Sequence, residues 1–415
     1  MAIYDEAKLV NIASGYKAAT YYSVLPDDGS GDFDVARNSV ATRVNSDLKL
    51  EEMAVHVPRI SYDSGVTCPY CLLEPQRTNL LTYPVSFDNA YWTKSGSSVT
   101  SGQSAPHATL TTSAFKLVEN SATSTHYIQR SLTVTNGVAV TCSIVAKADE
   151  RTWIRFEETA AADGYYFDLT NGVIGTAIGT VDAYSITPLA DSNYLISITV
   201  TVPATTAVFK AGLADADNSN SYSGDGSSGA YIAFAQLEEG AYPTSWIYDG
   251  TEGSTTTRIA DEINNAGVAA TFNSVEGVLY AEMAALATDV DGAERTITLS
   301  DGTTTNRVQV YYSPSENVIH SYIRNAAGTQ AAITYSVSDV TDFHKVAIRY
   351  RVNDFSLWID GVERGTDVSG TTFAADVLTE CSFDNGGGTD DFSGKCREVS
   401  VFEYLTDAQM AELTT

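Results

Sequence analysis

From about Leu80 onward one short strand pattern follows another, with no helical period between them. Val138, Val140, Cys142, Ile144 and Ala146 alternate with polar neighbours, and Ile196, Ile198, Val200 and Val202 alternate with Leu195, Ser197, Thr199 and Thr201. Successive strand side chains point to opposite faces, so each such segment owns an apolar face that must be covered. Segments 152–156, 165–169 and 231–237 add three more candidates. Many short strands without helices cover those faces by stacking sheet on sheet, as a sandwich or jelly roll. The pattern restarts near Asn264, with strands expected at 277–283, 296–299, 307–312, 318–324, 344–352, 355–360 and 397–402. Near the end, Thr406 and Gln409 fit a capping box and predict one short helix. The expected class is therefore all-β: an irregular region over 1–80, then two antiparallel β-sandwich (jelly-roll) domains at 81–262 and 263–415, closed by a short C-terminal helix.

One hairpin can be registered from the residues alone. Segments 345–352 and 355–360 flank Asn353-Asp354, a two-residue turn signal. Pairing Val352 with Phe355 sets Tyr350 against Leu357 and Ile348 against Ile359 on one apolar face. The other face then pairs Arg349 with Trp358 and Arg351 with Ser356. Aromatic planes stack on sugar rings and guanidinium groups donate fixed hydrogen bonds to hydroxyls or carboxylates, so Arg349, Arg351 and Trp358 are candidate carbohydrate-binding residues, with a leaning toward an acidic glycan. An ordinary cross-strand cation–π pair covering a sheet is the competing reading. Trp153, flanked by Arg151 and Arg155, is a second candidate of the same kind.

Charge narrows the partners. The formal net charge of −28 opposes the phosphate neutralisation on which nucleic-acid binding depends, and anionic membranes would repel the chain as well. No apolar run approaches a membrane span, and the start has neither a basic nor a continuous apolar region of the signal-peptide kind. With 43% hydrophobic and 18% charged residues the composition is that of a globular chain, and its 24 tyrosines favour strands.

Other reactive residues point nowhere specific. The five cysteines, Cys68, Cys71, Cys142, Cys381 and Cys396, are too few and too scattered for a disulfide framework, which fits folding in a reducing compartment. Cys68-Pro69-Tyr70-Cys71 has dithiol spacing, but Pro75 follows closely and no βαβ unit surrounds it. A zinc site there would need two more ligands, with only His56 nearby. The loops 215–220 and 384–391 could offer oxygen ligands to calcium, yet neither fits an EF-hand; no cofactor is otherwise expected. The five histidines are scattered, and no catalytic motif accompanies them.

Residues 1–80 carry too thin an apolar pattern for a core of their own. Such a segment either gains order from a partner or wraps its own domain. Within and just after it stand Ser39-Val40-Ala41-Thr42-Arg43-Val44-Asn45, Pro58-Arg59-Ile60-Ser61-Tyr62, Cys68-Pro69, the run LLEPQRTNLL from Leu72 to Leu81, and Phe87 to Lys94. This series resembles a recurrent signature of tailed-bacteriophage virion and related prophage proteins; Tyr70 and Cys71 depart from it. The resemblance implies that the region attaches to other virion proteins. The middle region, through TCSIVAK at 141–147, Phe167 to Gly172, and AQLEEG at 235–240 with Tyr242 to Ser245, looks like a carbohydrate-binding jelly-roll module. The last region is similar to laminin-G/concanavalin-like domains through His344 to Ala347, Leu357 to Gly361, Phe392 to Lys395, Glu398-Val399 and Leu405 to Asp407.

Together these resemblances imply a virion surface protein, made in the host cytoplasm: a head fibre, capsid decoration or tail fibre. Its sandwiches would touch host or environmental glycans, and it would be a homo-oligomer, a trimer being favoured. It is expected not to be an enzyme. A virion-associated glycan depolymerase and a cement protein without sugar binding are the alternatives.

Overall fold

The computed structural model describes residues 3–17, 19–288, 294–313 and 316–415. Strands dominate it, and one short α-helix, Asp407–Leu413, closes the chain. The all-β expectation holds.

The first sandwich is made of two six-stranded sheets. One runs Thr93–Ser95, His126–Thr133, Thr206–Ala214, Trp153–Glu158, Asp163–Asp168, Val173–Ile178; the other runs Ser97–Gln103, Ala114–Glu119, Gly229–Glu239, Ala139–Lys147, Tyr194–Thr201, Ala183–Pro188. The alternation read from the sequence sets their faces. Val140, Cys142, Ile144 and Ala146 lie in one core with Ile196, Ile198, Val200 and Val202, against Phe156, Phe167 and Phe209 from the facing sheet. The intervening polar residues pair across strands, as Thr141 Oγ1 does with Thr199 Oγ1 at 2.8 Å.

The second sandwich packs a five-stranded sheet, built from Arg295–Ser300, Arg307–Tyr312, Val318–Asn325, Gly328–Ser336 and Glu380–Ser382, on an eight-stranded one. Three strands of the larger sheet come from the N-terminal region. Gly394–Phe402 pairs on one side with Gly277–Ala285; its other side is shared between Ala7–Ile12, which takes Glu398 to Phe402, and Tyr70–Leu73, which takes Gly394 to Cys396. Arg59–Ser61 then extends the sheet from Tyr70–Leu73. Asp34–Ala36 pairs with Glu262–Asn264, and Arg77–Asn79 with Thr256–Arg258. Leu9, Tyr21, Phe33, Ile60, Cys71 and Leu73 thereby join the core of the second sandwich. A segment too poor in apolar residues to fold alone is ordered by completing the edge of a sheet, where unpaired backbone groups offer it ready hydrogen bonds.

The hairpin register departs from expectation by two residues. His344–Tyr350 and Phe355–Ile359 pair Ile348 with Leu357 and Arg349 with Ser356, while Trp358 faces Ala347. A two-residue type I′ turn needs positive φ at both central positions. Asn353 adopts it at 54°, but Asp354 does not. The chain instead closes a four-residue turn in which the Asp354 N–H donates to the Arg351 carbonyl at 2.9 Å. A shift of two preserves which residues share a face, so Arg349 and Trp358 remain on one side of the sheet without being opposite each other.

Candidate functional site

That side is covered. Val278, Tyr280, Ala347, Trp358 and Phe402 form an outward apolar face, and the C-terminal helix closes over it with Met410 and Leu413, helped by Leu405 and Ile3. Trp358 is 7% exposed and its indole N–H donates to Ser356 Oγ at 3.0 Å. Arg349 is ion-paired with Asp354 at 2.9 Å and with Asp407, the first helical residue, at 2.5 Å. It therefore clamps the helix start, where a carboxylate is already favoured. Arg351 stays half-exposed against Glu276 and over the Tyr404 ring. An apolar helix face thus occupies the surface that Arg349 and Trp358 had offered to a sugar.

Trp153 lies on the outward face of the first sandwich, opposite Asp168 and Ala214. Gly175 passes so close that a Cβ there would come within 2.5 Å of the indole and of Asp217. Arg151 is held by Glu119 at 2.6 and 2.7 Å, and Arg155 and Lys210 share Glu157. The structure does not gather Trp153 with Arg349, Arg351 and Trp358 into one site. In the 215–220 loop Asp215 binds Ser219, and Asp217 accepts the Thr176 N–H and hydroxyl. Among the described residues no three His, Cys, Asp or Glu side chains converge as a metal site.

The signature stretch resolves into a buried ionic junction. Arg37, Arg59 and Arg258 are all but inaccessible, and they meet Glu74 and Asp261. Arg59 bridges both carboxylates, at 2.5 Å to Glu74; Arg37 binds Asp261 at 2.8 Å and Arg258 binds Glu74 at 2.9 Å. Glu74 also accepts the Ser245 N–H and hydroxyl, both at 2.7 Å. Burial alone would raise the Glu74 pKa, but Arg258 and Arg59 hold it down at about 2. Burial pushes the adjoining Glu238 carboxyl upward. Asn79 satisfies four backbone groups, accepting from Leu81 and Leu237 and donating to Ala235 and Ile247. Arg59, Glu74 and Asn79, all within the signature, thus fasten the N-terminal region to residues 235–261 at the end of the first sandwich segment. Cys68 is exposed while Cys71 is buried in the second core, so the Cys68-to-Cys71 spacing brings no dithiol together.

A groove of about 250 Å³ opens where the hairpin of Ala41–Val44 and Leu50–Met53 meets the first sandwich. Its aromatic wall is Trp246 and Tyr248, stacked at 5.0 Å and 25°. Trp246 is anchored below by Phe234 at 4.5 Å and by His107, edge-on at 5.9 Å; Tyr248 is the half-buried outer member. Glu51, Glu52 and Thr109 also line the groove. The His107 Nδ1 accepts the N–H groups of Thr109 and Leu110, which places the ring proton on Nε2. Burial lowers the His107 pKa to about 4, so the ring is neutral near pH 7. Burial, then Glu252, Asp249 and Glu52, raises the Tyr248 pKa and keeps its phenol a donor. Glu51 is ion-paired with Arg43 at 2.8 Å, which leaves Glu52 as the more open carboxylate. Trp246 and His107 are themselves buried, so the groups open to a ligand are the Tyr248 ring and phenol and the Glu52 carboxylate. Sequence reasoning missed this site because its parts stand at 51–52, 107–110 and 246–248; the alternating Trp246 and Tyr248 were its one local signal.

No protein-family model matches the chain, and no curated protein matches it either. Among solved structures it is similar to the CBM40 module of the Ruminococcus gnavus IT-sialidase bound to α2,3-sialyllactose (13% identity, 34% of this chain and 84% of that chain, TM-score 0.30). It is also similar to domain 4 of AbnA, a GH43 extracellular arabinanase from Geobacillus stearothermophilus, in complex with arabinotriose (11% identity, 42% and 82%, TM-score 0.30). A third is the LG4–5 domains of the mouse laminin α1 chain (12% identity, 68% and 86%, TM-score 0.25). These neighbours are carbohydrate-binding modules and laminin G domains. At such TM-scores they carry no argument about ligand.

Proposed function

We propose that this chain is a glycan-binding protein of a tailed-phage virion surface, and that the groove beside Trp246 and Tyr248 is where it holds sugar. The signature from Ser39 to Lys94 supports the virion reading. The observation that carries the glycan reading is the half-buried Tyr248 ring, backed by the buried Trp246, in a groove of about 250 Å³ that the open Glu52 carboxylate also lines. Among the described residues no Lys or Arg lines the groove, so it suits a neutral or amino sugar and disfavours the acidic glycan expected for the arginine face. Binding is favoured over turnover because glycoside hydrolysis needs two carboxylates set across the bond, and Glu51 is taken up by Arg43.

A glycan array probed with the full chain and with Tyr248→Ala tests this. Binding lost in the variant but kept in Trp358→Phe supports the groove. Equal binding by wild type and Tyr248→Ala overturns it, release of reducing ends would show a depolymerase, and no binding by the wild type would favour the cement protein. Immunogold labelling of intact particles tests the virion assignment separately.

A further inference from the structure

Cys71 and Cys396 stand directly opposite each other on antiparallel strands, Tyr70–Leu73 and Gly394–Phe402. Directly opposed residues project to the same face, and both cysteines belong to the core of the second sandwich with 0% exposure. Opposed residues of an antiparallel pair have Cα atoms about 4.5–5.5 Å apart, inside the range of about 4.4–6.8 Å that disulfides span. The Cys396 thiol donates to the Glu398 carbonyl at 3.4 Å, so a side-chain rotation is needed to turn it toward its neighbour. The strand carrying Cys71 is held to this edge by only three register pairs, Gly394 with Leu73, Lys395 with Leu72 and Cys396 with Cys71.

We propose that Cys71 and Cys396 are a modification site, a cross-strand disulfide that forms when the protein passes from a reducing to an oxidising solution and locks the signature stretch onto the second sandwich. The oxidant is a small-molecule disulfide such as oxidised glutathione. One cysteine thiolate attacks it and expels one glutathione thiol; the second cysteine thiolate attacks the mixed disulfide and expels the other. One S–S bond forms, one breaks, and the two thiol protons end on the two glutathiones. Burial holds both thiols in their protonated form. The folded protein therefore exchanges only when this edge opens, and the bond is made as the chain folds or breathes.

The experiment refolds the full chain from urea in a glutathione redox buffer and, in parallel, in excess reductant. Refolding gives the oxidant access to every thiol. Non-reducing peptide mapping is expected to show the peptides of Cys71 and Cys396 joined, with Cys142 remaining a free thiol in the other sandwich. The oxidised protein is expected to melt roughly 5 °C or more above the reduced one, since the bond closes a very long loop. Cys71→Ala and Cys396→Ala, prepared separately, should each abolish that difference, while Cys68→Ser should keep it. Folded protein from the oxidising buffer without the joined peptides, or with Cys71 joined to Cys68 or Cys381, overturns the proposal.

Discussion

Arg59 and Asp261, 202 positions apart in the chain, share an ion pair from which solvent is excluded, with side-chain exposures of 0% and 3%. Together with Arg37, Arg258 and Glu74 the pair makes a group of three positive charges against two, and Glu238 lies close to Arg258. A buried charge is tolerated only when paired and hydrogen-bonded, so the members of such a group stand or fall together. The signature supplies Arg59 and Glu74 to this group, while its Ile60 and Leu73 join the second core.

Arg59→Ala is expected to cost about 3–5 kcal/mol, because it leaves Glu74 and Asp261 without their shared cation in a site closed to water. Urea unfolding measures it. Arg59→Ala combined with Asp261→Ala should lose less than the sum of the single variants, since contacting partners are not additive. Additive losses would mean that the pair is not coupled.

Trp358→Ala is expected to destabilise the protein by about 3–5 kcal/mol, as large-to-small changes of buried aromatics do, and to leave glycan binding unchanged. Thr406→Ala should weaken the same cover more gently, by about 1 kcal/mol, because the Gln409 side chain accepts the Thr406 N–H at 3.0 Å and its hydroxyl at 2.8 Å at the helix start. Thermal melts of the two variants, with a binding assay on each, separate a structural role from a recognition role. A binding loss without a stability loss in Trp358→Ala would restore the arginine–tryptophan face as a sugar site.

How much of this was legible follows from how local each cause is. Alternation over Val140, Cys142, Ile144 and Ala146 marks a core face by itself, because strand geometry fixes it within a few residues. The terminal helix was legible for the same reason: its cap lies within one turn. The hairpin at Asn353 was half legible; its faces followed from the pattern, but its register depended on one residue's φ. Trp358 was misleading because its cover, Met410 and Leu413, lies some fifty residues on. The ionic junction and the Trp246 groove were not legible beyond the Trp246–Tyr248 alternation, since their members come together from the N-terminal region and from stretches as far as Asp261.

Acidification should act on the groove before it acts on the junction. The His107 pKa falls to about 4 in the folded state from an ordinary 6.5, so between those values the unfolded chain binds a proton that the folded one refuses. Stability is then expected to fall as pH drops from 6.5 toward 4. Glu74, held at about 2 against an ordinary 4.5, contributes stability above pH 4.5 and loses it as pH falls from 4.5 toward 2. Denaturant unfolding from pH 7 to pH 3 checks both windows. His107→Gln should flatten the upper one and leave the lower one in place.

If the groove holds sugar as proposed, Glu52 is expected to decide which kind. It is the open carboxylate of the groove, close enough to Tyr248 to raise its pKa, and among the described residues no Lys or Arg lines the groove to balance it. A ligand carrying an ammonium group gains both the charge attraction and a contact with the aromatic faces, whereas a carboxylated sugar meets repulsion. Glu52→Gln is therefore expected to weaken binding of an amino sugar roughly tenfold, about 1.4 kcal/mol, while changing the affinity for its uncharged parent much less. Titration calorimetry of the two variants with glucosamine and glucose, at low and high salt, measures the difference. The amino-sugar preference should shrink at high salt only where Glu52 is present, because screening removes the attraction of an exposed charge but leaves the stacking on Tyr248. A preference that persists unchanged in Glu52→Gln would place the charge recognition elsewhere on the protein.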